Sequence, residues 1–306
     1  LKPYYEKKIN DWTASIEDVR VRELAEKGTI VTGGCIASML LQEKVNDFDL
    51  YFKDKETTEA ITKYYVSKFK PAKKSGIECS IRVEVKEDRV RIVVQSAGIA
   101  TENGSDQPYQ YFESRSEGEA TEYVDELITD PGDIEDKKEE IEHNLEDDPL
   151  KPKYRPVFLS TNAITLSNQI QCVLRFYGDP EEIHKNYDYV HCTNYWTSWD
   201  GVLVTRPEAL EALLARELRY VGSKYPVCSV FRLRKFLKRG FSINAGQILK
   251  MCMQISALDL TNIEVLQDQL TGVDCAYFAE VIDKLRKKDN EKIDTAYLIE
   301  IVNRMF

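Results

Sequence analysis

The spacing of apolar residues divides the chain into a mixed first part and a helical last part. Trp12, Ile16, Val19 and Leu24 recur near helical spacing, which predicts one helix over 10–27 stopped by Gly28. A short apolar run over 29–32 predicts a strand leading into Gly33-Gly34, and 35–42 predicts a short buried helix. Residues 47–53 alternate carboxylate and apolar positions as a half-buried strand does, and 56–69 predicts another helix. Over 77–96, Ile81, Val83 and Val85 alternate with Arg82 and Glu84, and Val90, Ile92 and Val94 answer after a polar turn, the pattern of a hairpin. Strands are expected over 157–165, 170–176, 187–195 and 202–205, with a helical turn over 180–185. From Pro207 the period is helical: 207–221, 227–239, 244–256, 262–270, 277–288 and 295–305. The expected architecture is α+β, a mixed sheet flanked by helices over 1–206, followed by an all-helical region over 207–306.

Between about 101 and 153 the composition turns to Gly, Ser, Gln, Asp and Glu. Too few groups there can bury surface to offset chain entropy, so an acidic, partly disordered insertion is expected, with a helix over 133–145. This segment also changes the reading of charge. The chain carries a net charge of −10, but residues 113–148 hold sixteen Asp or Glu against three Arg or Lys, a local −13 that leaves about +3 for the rest. The acidity is therefore no argument against a phosphate-bearing ligand elsewhere.

At 306 residues the chain has room for two modest domains. No run of about 18 apolar residues could span a membrane, and the first residues read as neither a signal nor a transit peptide. A soluble, cytoplasmic protein is expected. The seven cysteines are dispersed and odd in number, as buried thiols in a reducing compartment would be. His143, His184 and His191 are equally scattered, which argues against a structural zinc site.

The chemistry concentrates at the glycine pair. Two glycines between a strand and a helix let the backbone turn without a Cβ clash and let N–H groups point at phosphate oxygens. On the next strand Asp47 and Asp49, two residues apart, share one face, while Phe48, Leu50 and Phe52 point the other way. Two adjacent carboxylates repel unless a cation sits between them. Phosphate-binding amides beside metal-binding carboxylates are the equipment of phosphoryl transfer.

Gly33-Gly34, eleven intervening residues and Asn46-Asp47-Phe48-Asp49-Leu50-Tyr51-Phe52 resemble the signature of the DNA polymerase β-like nucleotidyltransferase superfamily. The later stretch Asn186-Tyr187-Asp188-Tyr189-Val190-His191-Cys192, with Arg232-Leu233-Arg234-Lys235-Phe236 and Arg239-Gly240-Phe241, is similar to divergent members in bacteriophages and large DNA viruses. The resemblance implies a nucleotidyltransferase-like fold, Mg²⁺ or Mn²⁺ as cofactor and a nucleoside triphosphate as substrate. It implies that Gly33 and Gly34 shape a phosphate cradle with Ser38 behind it, and that Asp47, Asp49 and Asp188 are the catalytic, metal-binding carboxylates. Glu84 is the alternative third carboxylate. Arg232 and Lys235, on a basic helix with interleaved aromatic and aliphatic residues, are candidates for triphosphate or nucleic-acid contact, against a solvated helix face.

Tyr189, Tyr195, Trp196 and Trp199 are either base-stacking or core residues, and residues 160–165 either recognise a base or sugar or simply turn the chain. The acidic insertion either engages a basic partner or stays solvated. The function expected is transfer of a nucleoside monophosphate to a hydroxyl on an RNA end, a protein or a small molecule. The alternatives are a catalytically silent binding or assembly module, associated with a phage or virion, and an antitoxin-like or immunity partner.

Overall fold

The computed structural model describes residues 2–69, 78–97, 111–113, 152–160 and 162–270. They fold as two units. The first holds the described residues up to 185 together with 194–204, and the second holds 186–193 and 205–270. The acidic insertion, apart from 111–113 and 152–153, lies outside the described residues, as do the helices expected over 277–288 and 295–305.

In the first unit the single helix expected over 10–27 is two, α1 (Lys2–Ala14) and α2 (Val19–Gly28). The break has a local cause. Ser15 Oγ donates to the Trp12 carbonyl at 2.6 Å, and the Asp18 carboxylate accepts from the Val21 amide at 3.0 Å as the N-cap of α2. Breaking the helix rotates its second half, so Val19 is exposed while Val21 and Ala25 face the core. Gly28 ends α2, and β1 (Thr29–Thr32), α3 (Gly34–Leu40), β2 (Phe48–Phe52) and α4 (Lys55–Lys68) follow in the order the pattern predicts. Asp54 caps α4 by accepting from the Thr57 amide at 2.8 Å.

The hairpin is β3 (Glu78–Val85) and β4 (Val90–Ala97), antiparallel, with Ile81 opposite Val94 and Val83 opposite Ile92. It forms a two-stranded sheet of its own. The main sheet has eight strands in the order β10 (Leu203–Val204), β9 (Tyr195–Thr197), β1, β2, β8 (Ile170–Tyr177), β7 (Ala163–Leu166), β6 (Pro156–Ser160) and β5 (Tyr111–Glu113). The run expected as one strand over 157–165 is thus two, paired as a hairpin. β2 and β8 are parallel, and the other neighbours are antiparallel. A parallel pair needs a long crossover, here supplied by everything between Phe52 and Ile170, α4 included. The architecture is a mixed sheet flanked by helices, an α+β fold.

One face of the sheet is the core. Val31, Leu50, Cys172 and Trp196 meet Tyr5 and Trp12 of α1 and Ile61 of α4 in one buried cluster. Trp12 Nε1 donates to the hydroxyl of buried Tyr65 at 2.7 Å, which satisfies both polar atoms and ties α1 to α4. Burial pushes the Tyr65 phenol well above its ordinary range, so it stays neutral. After β8 comes the short α5 (Pro180–His184), capped by Asp179 accepting from the Glu182 amide at 2.9 Å.

The second unit contains α6 (Pro207–Leu214), α7 (Pro226–Lys238), α8 (Ala245–Ser256) and α9 (Ile263–Leu270). The strand expected over 187–195 does not form. Tyr189 makes an isolated bridge to Tyr220, Val190–Cys192 is a 3₁₀ turn, and only from Tyr195 does the chain join the sheet as β9. The aromatic alternation has another use: Tyr189 and His191 both bury against Phe236 of α7. α6 likewise stops short of the expected residue 221, because Arg216 adopts a φ of 47° and Glu217 and Tyr220 pair with Ser242 and Tyr189.

His191 gives this unit a dependence on pH. Its ring is 1 % exposed, 4.4 Å from Phe236 and 4.9 Å from Phe241, and neither ring nitrogen has a hydrogen-bond partner among the described residues. Burial holds its pKa down to about 4; Asp188 pulls it upward and Arg239 pushes it further down. Between pH 6.5 and 4 the unfolded chain therefore binds the extra proton. The His191 contribution is complete above pH 6.5 and is lost as pH falls through this window, by about 3 kcal/mol in all. Denaturant titrations from pH 7 to 4 should show this slope in the wild type and lose that part of it in His191→Leu. Parallel slopes would contradict the assignment.

No helix among the described residues is long and apolar enough to cross a membrane. Cys35, Cys172, Cys192, Cys228 and Cys252 are not disulfide-bonded to one another.

Candidate functional site

The glycine pair divides its labour. Gly33 has φ 93° and ψ −148°, a region that residues with a Cβ avoid, and it redirects the chain out of the fully buried β1. Gly34 opens α3, and a Cβ built there meets nothing within 4 Å. Backbone geometry thus explains the first glycine, while neither backbone nor packing among the described residues requires the second. The space beside Gly34 is open to a ligand. Ser38, one turn further along α3, is buried at 6 % exposure.

Strand register carries the site across the sheet. Trp196, Val31, Leu50, Cys172 and Ile164 stand side by side on β9, β1, β2, β8 and β7 and belong to the core. The adjacent row points to the opposite face. There Tyr195 pairs with Thr32, Asp49 with Gln171, and Gln171 with Thr165; continuing the β1–β2 register by one residue sets Thr32 beside Asp49. Five adjacent strands therefore contribute Tyr195, Thr32, Asp49, Gln171 and Thr165 to one polar row, next to a row that is entirely apolar. Asp49 is half-buried between Phe48 and Leu50, both wholly buried, and Asp47 is half-buried just before the strand.

The expected third carboxylate is not in this row. β8 lies parallel to β2, and its residue beside Asp49 is Gln171; β8 has no Asp or Glu at all. Glu84 is in the separate hairpin sheet, opposite and ion-paired with Arg91, which lowers its pKa. Asp188 belongs to the second unit, where it is 8 % exposed and accepts from Arg232 Nε at 2.7 Å. Burial works against the Arg232 charge, but the Asp188 carboxylate together with Cys228 and Tyr189 outweighs it, so the guanidinium pKa is raised. The structure thus joins two residues expected in separate roles, metal ligand and phosphate contact, in one ion pair. Lys235 is half-buried on the same helix, α7. Among the described residues no group of three or more His, Cys, Asp or Glu gathers into a metal-binding cluster.

Of the aromatic candidates, Trp196 is core at 2 % exposure, and Tyr189 is buried in the second unit. Trp199 is exposed, with Lys53 Nζ 5.9 Å from its ring centroid. Tyr195 alone falls in the polar row, its ring 5.7 Å from that of His184. Thr32, Gln171 and His184 carry no sequence signal of function. Thr32 was open to notice only as the residue before Gly33, and His184 only as one scattered histidine.

Two solved structures to which the chain is similar are a Thermotoga maritima CCA-adding enzyme complexed with tRNA and a CCA-adding enzyme in apo form I. The first is 11 % identical, covering 91 % of this chain and 53 % of its own, with a TM-score of 0.38. The second is 11 % identical, covering 92 % and 54 %, with a TM-score of 0.35. The chain spans about half the length of these structures. No curated protein matches it significantly in sequence. Residues 4–216 match the family described as Gabija anti-defense 2, and the chain belongs to that family.

Proposed function

We propose that the chain is a metal-dependent nucleotidyltransferase that moves a nucleoside monophosphate from a nucleoside triphosphate to a hydroxyl acceptor, and that this transfer counters the Gabija defence. The observation that carries the reading is the register that sets half-buried Asp49 beside Thr32, the last residue before the Gly33-Gly34 turn. Asp49, with Asp47 just before its strand, and the space beside Gly34 support a site for phosphate and metal at this turn.

The residues present fit a Mg²⁺ or Mn²⁺ ion. Such ions are commonly held by one or two carboxylates, with phosphate oxygens and water filling the remaining positions, so Asp47 and Asp49 suffice on the protein side of a substrate-completed site. When bound, the metal neutralises triphosphate charge and activates the attacking oxygen. Gly33 shapes the turn, Gly34 leaves room for the phosphates, and Ser38 lies behind them. In the reaction the acceptor oxygen bonds to the α-phosphorus, the bond from that phosphorus to the bridging oxygen of the β-phosphate breaks, and pyrophosphate leaves. The acceptor proton passes to a carboxylate of the site. Asp188 is assigned the role of third carboxylate on the resemblance alone, with Arg232 and Lys235 as triphosphate contacts. The acceptor is an RNA end, a protein or a small molecule.

The test is incubation of the full chain with each α-labelled triphosphate and Mg²⁺ or Mn²⁺, alone, with RNA, and with lysate of cells carrying the Gabija defence. Label on an acceptor supports the reading. No transfer and no metal-dependent triphosphate binding would leave a silent binding module, a second reading favoured by the absence of a carboxylate on β8.

Gly34→Ala is a sharper probe of the cradle. Alanine suits a helix better than glycine by up to about 1 kcal/mol, and the methyl group has open space. The melting temperature should hold or rise while triphosphate affinity drops tenfold or more, about 1.4 kcal/mol. Unchanged affinity in calorimetry would remove Gly34 from the site.

A further inference from the structure

Three separate segments converge on the residue before the glycine turn. Thr32, wholly buried at the end of β1, places its Oγ1 2.8 Å from His184 Nε2 and 2.8 Å from the carbonyl oxygen of Asn194. His184 closes α5 and Asn194 precedes β9; both are buried. The proton count then fixes the tautomer. A carbonyl oxygen only accepts, so the single hydroxyl proton of Thr32 goes to Asn194. The contact with His184 must therefore run from an imidazole N–H into the Thr32 oxygen, which makes His184 an Nε2–H tautomer. The relay is directional: His184 donates to Thr32, and Thr32 donates to Asn194. The ring of Tyr195, Thr32's partner in the ladder, lies 5.7 Å from the imidazole.

We propose that His184 is a positioning residue of the transferase site: as the Nε2–H tautomer it clamps Thr32, and so holds the Thr32–Gly33 turn in the shape that receives the triphosphate. The proposal rests on the nucleotidyltransferase reading and adds a residue that no motif marks. Hydrogen bonding on both sides of the Thr32 hydroxyl fixes its rotamer. The φ of 93° at Gly33 starts from that fixed point, so an error in Thr32 is passed directly to the turn.

Removing the donor should misplace the turn without removing any group that touches substrate. His184→Ala is expected to lower kcat/KM on the order of a hundredfold, the cost of a misplacement of about 1 Å, with the loss mainly in KM for the triphosphate. His184→Gln keeps an N–H donor at similar reach and should restore most of the loss. Equal loss in both variants overturns the proposal.

The tautomer itself is read on the wild-type full chain by selective ¹⁵N-histidine labelling, with no substrate present. A protonated, pyrrole-type Nε2 on His184 supports the clamp, and a pyridine-type Nε2 overturns it whatever the activity. Absence of transfer and of triphosphate binding by the wild type overturns instead the reading on which the proposal rests, so the two failures are distinct.

Discussion

Replacing Asp47 and Asp49 together by alanine is expected to reduce metal-dependent nucleotidyl transfer by about 10³-fold or more and to leave the fold intact. The two effects separate because of where the pair sits. Asp49 projects from β2 on the face opposite the core, and its strand neighbours Phe48 and Leu50 supply the buried surface. Loss of the carboxylates leaves that packing in place. The chemistry, in contrast, depends on them: phosphoryl transfer is mostly positioning and charge neutralisation, and these are the carboxylates available beside the turn. The measurement is label transfer at saturating metal, paired with a thermal melt. Transfer at near wild-type rate in the double variant would falsify the assigned site; loss of both transfer and folding would show the pair to be structural.

A second large effect is expected at Asp188 and Arg232. Asp188 is 8 % exposed, and its carboxylate is met by Arg232 at 2.7 Å, so Arg232→Met strands a buried charge. The expected cost is about 2 to 3 kcal/mol, below that of a fully buried pair because the Arg232 side chain is 38 % exposed. Adding Asp188→Asn should recover much of the loss, since a neutral amide no longer needs a counter-charge. Denaturant unfolding of the two single variants and the double variant gives the coupling energy, and a coupling near zero would refute the ion pair. The same chains decide the role of Asp188 in the reaction. If the stable double variant still transfers nucleotide, Asp188 is a structural anion for α7; if it folds but is inactive, the pair belongs to the catalytic machinery.

The sequence made the glycine turn and the strand carrying Asp49 legible because their signals are local. A strand running into Gly33-Gly34, followed by a short helix and a strand with carboxylates on alternate positions, depends on neighbours within twenty residues of one another. Strand alternation alone sends Asp49 to one face and Phe48 to the other. Gly33 needs its glycine for a backbone reason that any turn of this kind shares. The hairpin around residues 86–89 was readable on the same grounds, since its register follows from a short polar turn.

Where the sequence misled, longer-range contacts or capping decided. A continuous helical period over 10–27 concealed a break set by Ser15 and Asp18, because both halves bury residues in one core and so keep the apolar spacing. The aromatic run 187–195 has the alternation of a strand, yet Tyr189 and His191 are drawn into packing with Phe236 and Phe241, far along the chain. Side-chain burial in that cluster outweighs the β propensity of the run.

By itself, then, the sequence determined an α+β chain with a glycine turn and a following strand that sends Asp49 to the face opposite Phe48 and Leu50, because backbone sterics and strand periodicity act between near neighbours. Only the tertiary structure decided that Gln171 stands beside Asp49, that Asp188 is bound to Arg232, and that His184 reaches Thr32 across 152 residues. Those facts depend on which strands pair and which helices pack, and such pairings are fixed by burial summed over the whole fold rather than by any local pattern.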